Sequence, residues 1–385
     1  MTTCPTPFTL NITPDELADL RNRLTQTRLP DQTPGPAWQF GTDRSYMVDL
    51  IDYWQTSFDW RTQEAALNQF PQFKVALHGI DLHYLHVKGT GPNPTPLLLM
   101  HGWPGSVFEF LDMIPLLTDP AQFGGDPNQS FTIIAPSLPG FGVSFYPNQK
   151  RFGAYEMADC LVDLMVNVLG YDRFAAQGGD WGSFVASSIA MRHPDRLIGM
   201  HLNMLPLRPD PVAPAGATQD EAQYANEIAH WSHEETGYTW IQATRPQTLA
   251  YGLTDSPAGL AAWIAEKFYV WSDHDGTVET AVNRDTMLAN ISLYWFTGAI
   301  GSSFWPYYER HHTQWTVPDE ARISVPTGYA AFPAEIRRPP QSVAQKVYTN
   351  LQHWSIMSKG GHFAALEQPQ ALADDIRSFF NRLTR

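Results

Sequence analysis

Three near-continuous apolar runs constrain this chain more than anything else in it, because each stops abruptly at a turn rich in glycine, two of the three with proline as well. Leu97-Leu98-Leu99-Met100 ends at His101-Gly102-Trp103-Pro104-Gly105-Ser106. Phe131-Thr132-Ile133-Ile134-Ala135 ends at Pro136-Ser137-Leu138-Pro139-Gly140-Phe141-Gly142. Phe174-Ala175-Ala176-Gln177 ends at Gly178-Gly179-Asp180-Trp181-Gly182. Short runs without polar alternation fit strands buried on both faces, as in a parallel sheet. A fourth run covers 197–204. Helical patterns intervene over 107–117, 157–169 and 183–192. Strand–helix alternation of this kind builds right-handed βαβ units, so an α/β fold with a mostly parallel, doubly wound sheet is expected.

The rest of the chain is arranged around that core. Residues 1–87 read as an N-terminal segment that leans on the core. Thr13-Pro14-Asp15-Glu16 is a capping box, and Leu17, Leu20 and Leu24 follow at helical spacing. A second helix is expected over 46–54, and a hairpin of two strands, 73–77 and 82–87, turns at His78-Gly79. The core occupies 88–205. Residues 206–320, rich in Trp, Tyr, Pro and Ala, read as an inserted helical lid, with helices over 218–236, 245–251, 259–271 and 283–292. Residues 321–385 return to the core, with strands over 324–330 and 351–357 and a closing helix over 369–383.

Charge and cysteine narrow the function. Lys and Arg number 25 against 39 Asp and Glu, a net charge of −14. A nucleic-acid binder needs a basic footprint, and an anionic membrane surface repels such a chain. The two cysteines, Cys4 and Cys160, make neither a disulfide framework nor a thiolate metal site. The N-terminal residues lack a secretory pattern, and no apolar stretch approaches the roughly 20 residues needed to span a bilayer. A soluble cytoplasmic protein acting on a small uncharged or apolar molecule is expected.

Asp180 carries the chemistry. Small residues stand two before and two after it, where a buried strand meets a helix. That is the layout of the nucleophile turn of α/β-hydrolases, with Asp where many carry Ser. A carboxylate needs no base to activate it at neutral pH and can attack an sp³ carbon, leaving an ester for water to clear. A plain helix-capping role is the alternative for Asp180 alone. The backbone N–H groups of Trp103 and Trp181 are placed to form an oxyanion hole. His362, in Gly360-Gly361-His362-Phe363, follows the last strand, as a base would in this fold; a surface histidine is the plainer alternative.

Together these residues resemble the epoxide hydrolases of the α/β-hydrolase fold, in the microsomal-type branch with an N-terminal wrapping segment. The resemblance runs through PFTLNITPDELADLRNRL at 7–24, HGWPGS at 101–106, PSLPGFG at 136–142 and QGGDWGS at 177–183. It continues through ETGYTWIQATRPQTLAYGLTDSPAGLAAWIAEKF at 235–268, NISLYWFTGAIGSS at 290–303 and GGHFAALE at 360–367. It implies that Asp180 is the nucleophile, His362 the base and Glu335, in Phe332-Pro333-Ala334-Glu335, the carboxylate that orients it, with Asp319 and Asp210 as weaker rivals. It implies that two lid tyrosines hold the epoxide oxygen: Tyr238 and, in Trp305-Pro306-Tyr307-Tyr308, Tyr307, with Tyr308 adjacent. The implied reaction converts a small apolar epoxide and water to a vicinal diol through an ester on Asp180, without metal or cofactor, and a homodimer is a family-level expectation. A haloalkane dehalogenase is the nearest alternative, with the indoles of Trp103 and Trp181 as its halide donors. An ester hydrolase would need Ser183, which lies down the helix. A non-catalytic ligand-binding member would show a broken constellation.

Overall fold

Burial accounts for the apolar runs. In the computed structural model, which describes residues 4–383, every residue of Phe131–Pro136 and Phe174–Gly178 is buried, and so are the last four of Thr95–Met100. Strands covered on both faces meet no water, so they need no polar alternation. All strands join one nine-stranded sheet. In chain order they are β1 (Thr6–Phe8), β2 (Gln72–Leu77), β3 (Ile80–Val87), β4 (Thr95–Met100), β5 (Phe131–Pro136), β6 (Phe174–Gly178), β7 (Leu197–Leu202), β8 (Thr327–Ala331) and β9 (Leu351–Ile356). Across the sheet the order is β1-β2-β3-β5-β4-β6-β7-β8-β9. The pairings from β1 through β3 to β5 are antiparallel, and the pairings from β5 to β9 are parallel.

This order positions the site. The chain steps from β4 to β5 on one side, then crosses to β6 on the other. Such a reversal opens a crevice beyond the carboxyl ends of the two strands, where open α/β sheets bind ligands. The turn with Asp180 follows β6, the Trp103 loop follows β4, and the loops bearing Glu335 and His362 follow β8 and β9.

The N-terminal capping box forms as read. Thr13 N–H donates to Glu16 Oε2 at 2.7 Å and Glu16 N–H donates back to Thr13 Oγ1, starting the helix Pro14–Thr25. The helix Arg44–Thr56 and the β2–β3 hairpin also match expectation, with Leu77 opposite Ile80. Strand β1 and the helix Trp60–Asn68 were not anticipated. Three residues of β1 are too short to show a period, and Glu64 breaks the apolar stripe of the helix. That carboxylate is buried because it accepts from the Trp60 indole and from the Ile12 N–H.

Between β7 and β8 the structure is helical: Gln219–Glu234, Gly237–Thr244, Pro246–Asp255, Pro257–Trp271, Arg284–Thr297, Ile300–Ser303 and Trp305–His312. The helix expected over 245–251 runs from Pro246 to Asp255, and a separate helix precedes it. Pro246 and Pro257 each sit at a first helical position, which their missing N–H tolerates. The helix expected over 107–117 is a 3-10 turn, Val107–Phe110, followed by the short helix Met113–Thr118. Pro115 fits only in a first turn, so the helix restarts just before it. Among the described residues no helix is long and apolar enough to cross a membrane.

The N-terminal segment grips this helical region. The Trp54 indole N–H donates to Ser292 Oγ at 3.1 Å, Tyr53 OH to Asp285 at 2.8 Å and Thr42 Oγ1 to the Ala262 carbonyl at 2.7 Å. Trp38 stacks on Tyr269 with ring centres 3.9 Å apart.

Candidate active site

The helix Asp180–Arg192 begins two residues after β6 ends, and Asp180 has φ +42°, a left-handed conformation costly for any residue with a side chain. Two glycines make room for it. A Cβ on Gly182 would lie 2.2 Å from the Met100 carbonyl oxygen, and one on Gly102 would lie 2.3 Å from the Asp180 Cβ. The capping alternative does not hold: Gly179 is the cap residue, and no side-chain cap bond forms. Instead Asp180 Oδ1 accepts from the Trp103 N–H at 2.7 Å, and the Trp181 N–H also bonds the carboxyl group. Burial pushes the Asp180 pKa up. Hydrogen bonding and charge from His362, with the two backbone N–H groups, outweigh burial and hold it below the ordinary carboxylate value.

The Trp103 loop is held from above. Asn290 Nδ2 donates to the Pro104 carbonyl at 2.6 Å, and Tyr294 OH donates to the Gly105 carbonyl at 2.9 Å. Both come from the helix Arg284–Thr297. Sequence reasoning used Asn290 only as a landmark. The signal was there: two polar groups at i and i+4 share one face of an otherwise buried helix. His101 braces the loop from below, accepting from the Leu138 N–H through Nε2 at 3.1 Å. Burial pulls its pKa down to about 4, so it is neutral.

His362 reaches Asp180 on one side and Glu335 on the other. Its Nε2 lies 3.5 Å from Asp180 Oδ2, and its Nδ1 bonds Glu335 Oε1 at 2.8 Å. Side-chain exposure is 16% for Asp180, 2% for His362 and 0% for Glu335, so the relay runs inward from a cavity wall. Burial alone pulls the imidazole pKa down. The Glu335 charge, then the bonds to Asp180 and Glu335 and the Asp180 charge, raise it to about 10. The rival carboxylates lie elsewhere: Asp319 faces Arg208 at the surface, and Asp210 accepts from the Val212 N–H.

A cavity of about 240 Å³ opens on Asp180 and is walled by Trp181, Tyr238 and Tyr307. The ring centres of Tyr238 and Tyr307 are 5.9 Å apart. Tyr238 stacks on Trp103 at 5.4 Å, and the Lys267 ammonium lies 4.6 Å from its ring centre. Burial, with the nearby Asp180 charge, raises both phenol pKa values, so both are protonated donors at neutral pH. Tyr308 turns away and stacks on Trp305 and His312. Behind Asp180 a second space of about 20 Å³ is lined by Glu109, His362 and Asn203. Burial pushes the Glu109 carboxyl up to about 8. Neither Glu109 nor the two arginines of the larger cavity, Arg310 and Arg337, stood out in the sequence.

The sheet order and the strand-to-helix turn define an α/β-hydrolase, and the carboxylate at that turn separates it from members that carry serine there. Comparison with known proteins narrows the class. The family description "Epoxide hydrolase N terminus" matches residues 5–110, and "alpha/beta hydrolase fold" matches residues 95–236. Epoxide hydrolase 1 of Oryctolagus cuniculus is 37% identical over 407 residues, spanning 98% of this chain and 89% of that protein. The crystal structure of juvenile hormone epoxide hydrolase from Bombyx mori superposes with a TM-score of 0.88 at 32% identity, over 99% of this chain and 95% of that one. Aspergillus niger epoxide hydrolase gives 0.86 at 30% identity, over 99% and 97%. The chain belongs to the epoxide hydrolase family.

Proposed function

We propose that this enzyme hydrolyses an epoxide to a vicinal diol, with Asp180 as nucleophile, His362 as base, Glu335 as its orienting partner, and Tyr238 and Tyr307 as donors to the ring oxygen. The observation that carries this reading is the division of labour on Asp180. Oδ1 is anchored by the Trp103 N–H at 2.7 Å, while Oδ2 stands 3.5 Å from His362 at the cavity wall. The less restrained oxygen attacks a ring carbon. The C–O bond opens, and a phenol gives its proton to the alkoxide that forms.

Hydrolysis of the ester then follows from a change of charge. While Asp180 is ionised, its charge and hydrogen bond help hold His362 protonated. Forming the ester removes that negative charge. The imidazole pKa falls, the proton of His362 returns to the phenolate left by ring opening, and the neutral imidazole becomes a base towards water, still oriented through Nδ1 by Glu335. Water attacks the Asp180 carbonyl carbon. Negative charge develops on the oxygen facing the Trp103 and Trp181 N–H groups, and loss of one such donor costs about 3 kcal/mol of barrier. The intermediate collapses with cleavage of the acyl C–O bond, the leaving alkoxide takes the proton of the new carboxyl group, and the diol departs from a restored carboxylate with His362 protonated again.

The aromatic wall beside Asp180 suits an apolar group next to the ring. The dehalogenase alternative lacks comparable support, because phenols, not a pair of indoles, face each other across the cavity. Residues 206–320 act as the lid and 1–87 as its strap. A cytoplasmic location and a homodimer through the lid complete the proposal; cell fractionation and sedimentation analysis test them. The central test is one turnover in water enriched in heavy oxygen. The label is expected in the Asp180 carboxyl group. A labelled diol from that first turnover refutes the ester route.

A further inference from the structure

The cavity at Asp180 holds two guanidinium groups whose charge favours ionisation of the two phenols but whose N–H donors the proposed reaction does not use. Arg310 lies on the helix Trp305–His312, three residues after Tyr307 and so on the same face. Its Cζ sits among aromatic rings, 4.8 Å from the centre of Trp181, 5.3 Å from Phe184, 5.6 Å from Tyr307 and 4.7 Å from Trp315. Among the described residues its N–H groups meet no acceptor and it forms no ion pair. Arg337 follows Glu335 by two residues and approaches the same Phe184 ring at 6.0 Å. It is 5% exposed, and among the described residues its Nε has no hydrogen-bond partner and its terminal nitrogens reach only the Leu207 carbonyl at 3.3 Å and the Met204 sulfur at 3.5 Å. Both side chains line the 240 Å³ cavity.

Two recessed cations without a carboxylate partner are costly, the more so beside each other. Ring faces offset part of that cost for Arg310. They leave unused a planar fork of donors that matches a carboxylate in bidentate geometry. Arg310 also borders the outer space of about 500 Å³, lined by Arg208, Trp240 and His311, that leads to the surface. The unpaired charge therefore lies along the route from the surface to Asp180.

We infer that the natural substrate is an epoxide bearing a carboxylate, its ring between Asp180 and the two phenols, its apolar body against Trp181 and Phe184, and its acid group on Arg310 and Arg337. The inference rests on the epoxide reading above and names the substrate class for that site. The product is a dihydroxy acid; the acid group takes no part in bond making and is carried through unchanged. A local positive patch is needed because the chain as a whole, at −14, repels an anion.

The test uses terminal epoxy acids of four to eleven carbons alongside their methyl esters, with diol formation measured as kcat/KM. At one or more chain lengths the acid is expected to exceed its ester at least tenfold. Arg310→Met should lower the acid-to-ester ratio about a hundredfold, and Arg310→Lys should restore part of it. A merely structural role for Arg310, or an effect exerted through the Asp180 charge, moves acid and ester together and leaves the ratio where it was. Such a constant ratio, or a preference for the ester at every length, overturns the inference while leaving the epoxide reading intact. No diol from acids or esters alike overturns both. Should Arg310→Met fail to fold, Arg337→Met is read by the same ratio.

Discussion

Among the described residues two buried histidine–carboxylate clusters invite comparison, and one of them borders the cavities at Asp180. At the carboxyl edge of the sheet, His362 joins Glu335 and Asp180. Deeper, where β7 and β9 meet the closing helix Pro369–Leu383, Asp375 accepts from His201 Nε2 and His353 Nε2, each at 2.8 Å, and from Ser355 Oγ at 2.5 Å. The chemical groups are alike. Both oxygens of Asp375 are engaged by the protein, and the cluster borders neither space at the nucleophile. Asp180 Oδ2, by contrast, lies 3.5 Å from His362 in a side chain that borders the cavity, and among the described residues Glu335 Oε2 has no hydrogen-bond partner. Spare capacity at a cavity wall, not the presence of histidine and acid, distinguishes a place where bonds can change from one where they hold the fold.

The comparison is broken most directly at Asp180. Asp180→Ala should reduce steady-state diol formation by a factor on the order of 10⁴ or more, as loss of a nucleophile does elsewhere. Circular dichroism should show the fold retained, since the replacement keeps the Cβ and the backbone turn and removes only the carboxyl group that borders the cavity. Asp375→Asn should do the reverse. Weakening a buried hydrogen-bond network at its acceptor costs about 1–3 kcal/mol, read by denaturant unfolding, while kcat per folded molecule stays within about twofold. A collapse of kcat at unchanged stability would make the deeper cluster catalytic and end the distinction.

Smaller effects sharpen it. Tyr238→Phe and Tyr307→Phe should each lower kcat/KM on the order of 10²-fold, with Tyr308→Phe near unity. The clusters should also differ in their response to pH. The folded pKa of His362 is raised to about 10, above an unfolded value near 6.5. Its stabilisation is complete below 6.5 and is lost as pH rises through about 10. Asp375 is shifted the other way: burial pushes it up, but His201, Ser355 and His353 overcome this and depress it well below the ordinary value. Its stabilisation is present above about 3.8 and is lost as pH falls. Melting temperature followed on both sides of neutrality should decline at each end. His362→Gln should flatten the alkaline limb and Asp375→Asn the acid one. In Asp180→Asn, nuclear magnetic resonance should find His362 titrating below about 10, the shift invoked for ester hydrolysis.

The nucleophile turn was legible in the sequence because local sterics write it there. Gly178, Gly179 and Gly182 surround Asp180 as close backbone approach requires, and the apolar runs of β4, β5 and β6 announce a sheet covered on both faces. Glu335 was found by resemblance, since nothing local separates it from Asp319 or Asp210. The helix Gly237–Thr244, which presents Tyr238, escaped because Pro246 and Pro257, not periodicity, divide that region. Asn290, Tyr294 and Arg337 act through hydrogen-bond partners 130 to 189 residues away in the chain, and Arg310 packs on the equally remote rings of Trp181 and Phe184. One sequence holds the spacing of Tyr307 and Arg310 on a helix face, but not what that face meets.

Trp38, Thr42, Tyr53 and Trp54 tie the N-terminal segment to the helices Pro257–Trp271 and Arg284–Thr297. A roof riveted at several seams does not swing on a hinge. The space beside Arg208, Trp240 and His311 adjoins the cavity at Asp180 through Trp240, Tyr307 and Arg310, so its calibre bears on which molecules reach the chemistry. Trimming the exposed Trp240 should therefore admit bulkier compounds while leaving the bond-making apparatus as it stands.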